Sequence, residues 1–161
     1  MNETALLLIL MGTLRVLSGE AFPGSRTEET DRGQESMPET DDVTMATLAA
    51  VQRFNEAFNR HDVDAVMAAM TADCVFENTR PTPDGTRMEG AVAVRAAWEE
   101  FFARSPQARF ETEEIFAAGD RCVVRWIYRW VREGKEGHIR GVDVFRVRKG
   151  KVAEKLSYVK G

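Results

Sequence analysis

Two cysteines and two histidines are the whole stock of thiol and imidazole ligands in this chain of 161 residues. Cys74 and Cys122 lie far apart, neither has a second thiol or a histidine at ligand spacing, and His61 and His138 are well separated. No metal site is expected, and no cofactor. Each cysteine sits in an apolar, strand-like run, where a free thiol behaves as a small hydrophobe. A disulfide requires the fold to bring the two strands together. Reduced thiols suit a cytoplasmic protein.

Excess positive charge is also missing. The formal net charge is -4, and residues 1–42 hold nine of the acidic side chains against three basic ones. The remainder is only weakly basic, with its charges scattered, so the concentrated phosphate-binding face of a nucleic-acid protein is not present. Nor is there a long hydrophobic run. The apolar stretch from Ala5 to Met11, fading out by Leu17, is too short to span a bilayer, so no membrane partner is expected. As an export signal, residues 4–17 are preceded by an n-region with Glu3 and no Lys or Arg, and Arg15 interrupts the apolar run. Gly19-Glu20-Ala21 is a conceivable cleavage site, which keeps export open beside a cytoplasmic location. Residues 23–42 are polar and acidic, with too little apolar surface to offset the entropy of ordering. Residues 1–41 thus read as a disordered extension, and residues 42–161 as one domain.

What is present begins with helical periodicity. Met45, Leu48, Val51, Phe54 and Phe58 recur at spacings of three and four, with Asp41 or Asp42 placed to cap the helix. After Asn59-Arg60-His61, Asp62 is placed to cap a second helix carrying Val63, Val66, Met67 and Met70. Residues 73–78 alternate as a short strand, and residues 80–85 form a turn. A third helix follows from Ala91, with Val94, Trp98, Phe101 and Phe102 on one face and Pro106 beyond its end. Period-two alternation then fills residues 108–117, 121–132, 138–148 and 151–159, separated by hairpin signals. Helices gathered on one face of a curved antiparallel sheet make an α+β fold.

Parity points to a pocket. Cys122, Val124, Trp126, Tyr128 and Trp130 share the face expected to meet the helices, and Ile139, Gly141, Asp143, Phe145 and Val147 share one face of the next strand. Asp143 is then a lone carboxylate among apolar neighbours. Without a cation beside it, desolvation raises the pKa of such a group and makes it a proton donor near neutral pH. The competing reading is a structural acceptor for Trp or Tyr hydrogens. Phe54, Phe58, Met70, Phe76, Asn78, Trp98, Phe102, Trp126, Tyr128, Trp130 and Phe145 are the candidate pocket lining, with Asn78 and Tyr128 as its polar members. The same aromatic side chains also suit a plain core. By parity His138 lies on the face opposite Asp143 unless a bulge intervenes.

Three phrases, residues 57–66 (AFNRHDVDAV), 71–77 (TADCVFE) and 141–147 (GVDVFRV) with Gly150-Lys151-Val152, resemble the SnoaL-like and ketosteroid isomerase-like branch of the nuclear transport factor 2 fold. The resemblance spans residues 43–161 and implies a cone-shaped roll, three helices on a curved antiparallel sheet, and a homodimer joined through sheet faces. It fixes shape better than activity, since the fold hosts enzymes and binding proteins alike. A ketosteroid isomerase uses an aspartate base with a tyrosine and a protonated aspartate as donors. By resemblance Asp143 matches the protonated aspartate, but Asn78 stands at the base position and Phe54 at the tyrosine position, so steroid isomerisation is not expected. In SnoaL-like cyclases an aspartate on the same late strand serves as acid and base, a requirement Asp143 meets alone. The epoxide hydrolases of this fold need two carboxylates bridged by an arginine, and no second inward acid is evident beside Arg125. The expectation is a pocket for a small apolar molecule with Asp143 as the catalytic residue. The alternative is a non-catalytic binding or dimerisation module using the sheet face of Val123, Ile127, Val142 and Val144.

Overall fold

The structure is a computed structural model and describes residues 39–132 and 134–160. The extension expected over residues 1–41 and the signal-like run within it lie outside the described residues, apart from residues 39–41. Helix α1 spans Glu39–Asn59, so Asp41 and Asp42 occupy its first turn instead of capping it, a position where carboxylates favour the positive end of the helix dipole. Ala50, Val51, Phe54 and Ala57 form its buried stripe. Asp62 caps α2, Val63–Ala68, by accepting from the Ala65 N–H at 2.9 Å. Helix α3, Ala91–Arg104, buries Val94, Trp98 and Phe102.

Six strands form one curved, unclosed sheet in the order β2-β1-β6-β5-β4-β3: β1 is Met70–Glu77, β2 Arg87–Glu89, β3 Phe110–Ala118, β4 Arg121–Arg132, β5 Lys135–Arg148 and β6 Lys151–Val159. The last four strands are the expected antiparallel meander. The ladder between β4 and β5 runs on to Arg132 and Lys135, so their hairpin is tighter than the Glu133–Gly137 stretch suggests. Local alternation gives no sign of how β1 joins the sheet. It pairs parallel to β6, which brings Phe76 beside Lys155.

Met70 departs from the helical expectation. It opens β1, where it is buried just the same, because the helix stops at Ala68 and the strand begins two residues later. Bulges interrupt the β3–β4, β5–β6 and β1–β6 ladders and bend the sheet around the helices. The helix corner is tied down by Asn59, whose side-chain amide donates to the Phe110 carbonyl and accepts from the Phe110 N–H, both at 3.0 Å. His61, in that same corner, stacks on Phe102 at 4.5 Å and lies 2.6 Å from the Ala108 carbonyl oxygen.

The outer sheet face differs from its expected form at Ile127, which is 3% exposed. Its cross-strand partners are Glu111 and Arg140, and Arg125 and Arg129 flank it along the strand. Ion pairs Arg125–Glu114 at 2.8 Å, Arg140–Glu113 at 2.9 Å and Arg129–Glu111 at 3.6 Å hold the long side-chain stems over it. The apolar surface of that face lies further along the strands, where Phe116, Val123, Val144 and Leu156 stand in one cross-strand row.

Candidate functional site

A cavity of about 750 Å³ opens between the helices and the concave sheet face. Its floor comes from the middle of β4, β5 and β6, where Val124, Asp143 and Ser157 are successive cross-strand partners. Val124 and Trp126 reach it from β4, Phe76 from β1, and Phe54, Phe58 and Trp98 from the helices. Trp126 crosses the floor because its partner is Gly141: a Cβ there would stand 2.2 Å from the indole ring and 2.4 Å from the Tyr158 carbonyl oxygen.

Asp143 is not alone. Lys155 Nζ lies 2.8 Å from Asp143 Oδ2, with the two residues 7% and 6% exposed. The same ammonium donates to Ser157 Oγ at 2.7 Å and sits over the rings of Phe76, Phe145 and Trp98 at 5.2, 5.7 and 5.9 Å. The premise of a carboxyl without a cation beside it is therefore corrected: this is a buried ion pair, held by hydrogen bonds and aromatic faces.

Lys155 faces inward because of one extra residue. Val147 pairs with Val152 and Arg146 with Glu154, leaving Ala153 as a bulge in β6. Val152 is inward, and after the bulge Lys155 and Ser157 are inward too, whereas strict alternation from Val152 would aim Glu154 and Leu156 at the core. Three further buried polar atoms near the floor, Asp143 Oδ1, Trp98 Nε1 and Trp126 Nε1, have no hydrogen-bond partner among the described residues.

Of the candidate lining, the structure brings Phe54, Phe58, Phe76, Asn78, Trp98, Trp126 and Asp143 to this cavity. Phe145, fully buried, Phe102, in ring contact with Phe58 at 4.9 Å, and Met70 belong to the core instead. Tyr128 and Trp130 share the expected face but lie further along β4 than Val124 and Trp126, outside this cavity. They line a separate depression with Ser105, Gln107 and His138, and Tyr128 stacks on Phe110 at 5.0 Å. Asn78 Oδ1 accepts from the backbone N–H groups of Thr86 at 2.8 Å and Arg80 at 3.0 Å, so it closes its own loop. Arg125 is on the outer face, paired with Glu113 and Glu114, and bridges no acids inside. Burial pushes the Cys122 thiol up to about 11 and raises that of Cys74, and both thiols are free.

No helix among the described residues is long and apolar enough to cross a membrane. No curated protein matches the chain. Among solved structures, an NTF2-like protein of unknown function from Mesorhizobium loti is 40% identical with a TM-score of 0.66, covering 75% of this chain and 96% of its own. A putative polyketide cyclase from Xanthomonas campestris pv. campestris is 26% identical with a TM-score of 0.58, covering 73% of this chain and 93% of its own. A putative SnoaL-like polyketide cyclase from Jannaschia sp. CCS1 shares the fold at 18% identity and a TM-score of 0.64, covering 80% and 92%. The model of the SnoaL-like domain matches residues 51–155, a span that holds Val124 and Asp143 of the cavity floor, the bulge at Ala153 and Lys155. With the fold and that match in agreement, the chain belongs to the SnoaL-like domain family.

Proposed function

We propose that the cavity binds a compact apolar carbonyl compound and that Asp143 moves a proton on it, the chemistry of an isomerase or cyclase. The observation that carries the reading is a carboxylate buried in an aromatic cavity, with one oxygen paired to an ammonium and the other without a hydrogen-bond partner among the described residues. Within an ion pair the carboxylate is the form that accepts a proton, so Asp143 acts first as a base and returns the proton afterwards. The putative polyketide cyclase that is 26% identical supports a reaction of this class. Steroid-type isomerisation lacks support, since Phe54 offers no donor and Asn78 is an amide engaged with its own loop.

Mass spectrometry of small molecules retained by the purified protein tests this reading, with wild type and Asp143→Asn compared. Both should retain the same compound, and only the wild type should convert it. Conversion at equal rates by the two proteins would remove Asp143 from the chemistry.

The row of Phe116, Val123, Val144 and Leu156 favours pairing with a second copy, through a face whose flanks carry ion pairs of both signs. We propose a homodimer, which serves a catalytic pocket and a non-catalytic binding module equally.

A further inference from the structure

Resting on the proton-transfer reading of Asp143, we propose that Lys155 is the second catalytic residue: its ammonium takes the carbonyl oxygen of a ligand that carries an acidic C–H next to that carbonyl. A lysine ammonium has three donors. One goes to Asp143 Oδ2 and one to Ser157 Oγ, and the third has no acceptor among the described residues. Lys155 lines the cavity, as do Trp98 and Trp126, whose indole N–H groups are buried without acceptors. The floor therefore sets the third N–H of Lys155 beside the Asp143 carboxyl, whose Oδ1 has no hydrogen-bond partner among the described residues. A ketone or ester with an α-hydrogen has the complementary set.

The step balances without a co-reactant. The Asp143 carboxylate takes the proton from the α-carbon, the C–H electron pair becomes a carbon–carbon π bond, and the carbonyl π pair moves onto oxygen beside Lys155. An enolate results. Where the ligand is β,γ-unsaturated the enolate is conjugated and takes the proton back from Asp143 at the γ-carbon; otherwise it attacks a second carbonyl of the same molecule, whose new alkoxide then takes that proton. Fixed donors aimed at the oxygen where charge develops lower the barrier most when water is excluded. The aromatic faces around Lys155 stabilise its charged form, which suits an electrophile and not an amine nucleophile.

A phenol that mimics the enolate reads this directly, because ionised and neutral para-nitrophenol absorb differently. The other charged side chains around the cavity, Arg80, Glu100 and Arg104, are exposed, leaving Asp143 and Lys155 as the buried charges that face the probe. Lys155→Met should lower the bound phenolate-to-phenol ratio by at least about tenfold, one pKa unit of the probe. Asp143→Asn should raise the ratio, and Lys155→Arg should restore it. Should Lys155→Met fail to fold, Asp143→Asn is compared with Asp143→Asn/Lys155→Met, which differ only in the ammonium. A ratio indifferent to residue 155 overturns the inference while leaving the pocket intact. Borohydride fixing β-tetralone to Lys155 as a mass gain also overturns it, by making the residue a nucleophile. Failure of wild-type protein to bind the probe sinks the pocket reading itself, and this inference with it.

Discussion

Lys155 Nζ and Asp143 Oδ2 meet at 2.8 Å on the diagonal of adjacent strands, where Phe145 faces Lys155 and Ser157 faces Asp143 across the ladder. Their pairing sets both the chemistry and the energetics of the floor. Two charges in that environment are tolerable only together. Removing one leaves the other buried and unpaired, so Lys155→Met should destabilise the fold by about 3–5 kcal/mol. Replacing both, as Asp143→Leu/Lys155→Met, should return most of that loss because no charge is stranded. Chemical denaturation of the two variants checks the pattern, and equal losses in both would mean that the pair is not electrostatically coupled.

Gly141 carries a steric prediction. Trp126 lies across it, and an alanine Cβ would overlap the indole ring and the Tyr158 backbone together. Gly141→Ala should therefore cost about 1–3 kcal/mol by forcing Trp126 off the cavity floor. A melting curve measures the cost, and a change in tryptophan fluorescence should accompany it. An unchanged melting point with unchanged fluorescence would show that the floor is not packed this way.

Most of the fold was legible in the sequence because its signals are local. The Asp62 cap and the parities of β4 and β5 survive in the structure, as does the α1 stripe from Val51 to Phe58, whereas Met45 at its start is exposed. Parity also put Asp143 on the buried face correctly. The missing partner was hidden by one residue, since the Ala153 bulge reverses the facing of everything after it in β6. A lysine between Glu154 and Leu156 reads as a solvated strand residue, and only the ladder shows otherwise. Tyr128 and Trp130 fall outside the Asp143 cavity for a different reason: alternation says which face a side chain is on, but not how far along the strand the cavity reaches.

The buried thiols give a pH dependence. Cys122 ionises from an ordinary value of 9.0 when exposed, but only at about 11 in the folded chain, and Cys74 is shifted the same way. A raised folded-state value contributes stability fully below the unfolded pKa and loses it as pH rises, because the unfolded thiol ionises first. Stability should fall between about pH 9 and 11 in wild type, and less steeply in Cys122→Ala. Parallel pH profiles of the two proteins would refute the assignment.

Self-association through the outer face is tested at Val144, which is paired with Val123 and Leu156 in the apolar row. Val144→Asp should leave a folded monomer, since the side chain projects away from the core, and light scattering should show wild type as a dimer. Wild-type monomer at high concentration would place the partner surface elsewhere.

The central claim is that Asp143 removes a proton from the carbon next to a bound carbonyl. Deuterium uptake by β-tetralone in heavy water, followed by mass spectrometry, measures that step alone. Wild-type protein should accelerate uptake over buffer, and Asp143→Asn should bind the ketone with similar affinity and give only the buffer rate. Equal acceleration by both proteins would contradict the account.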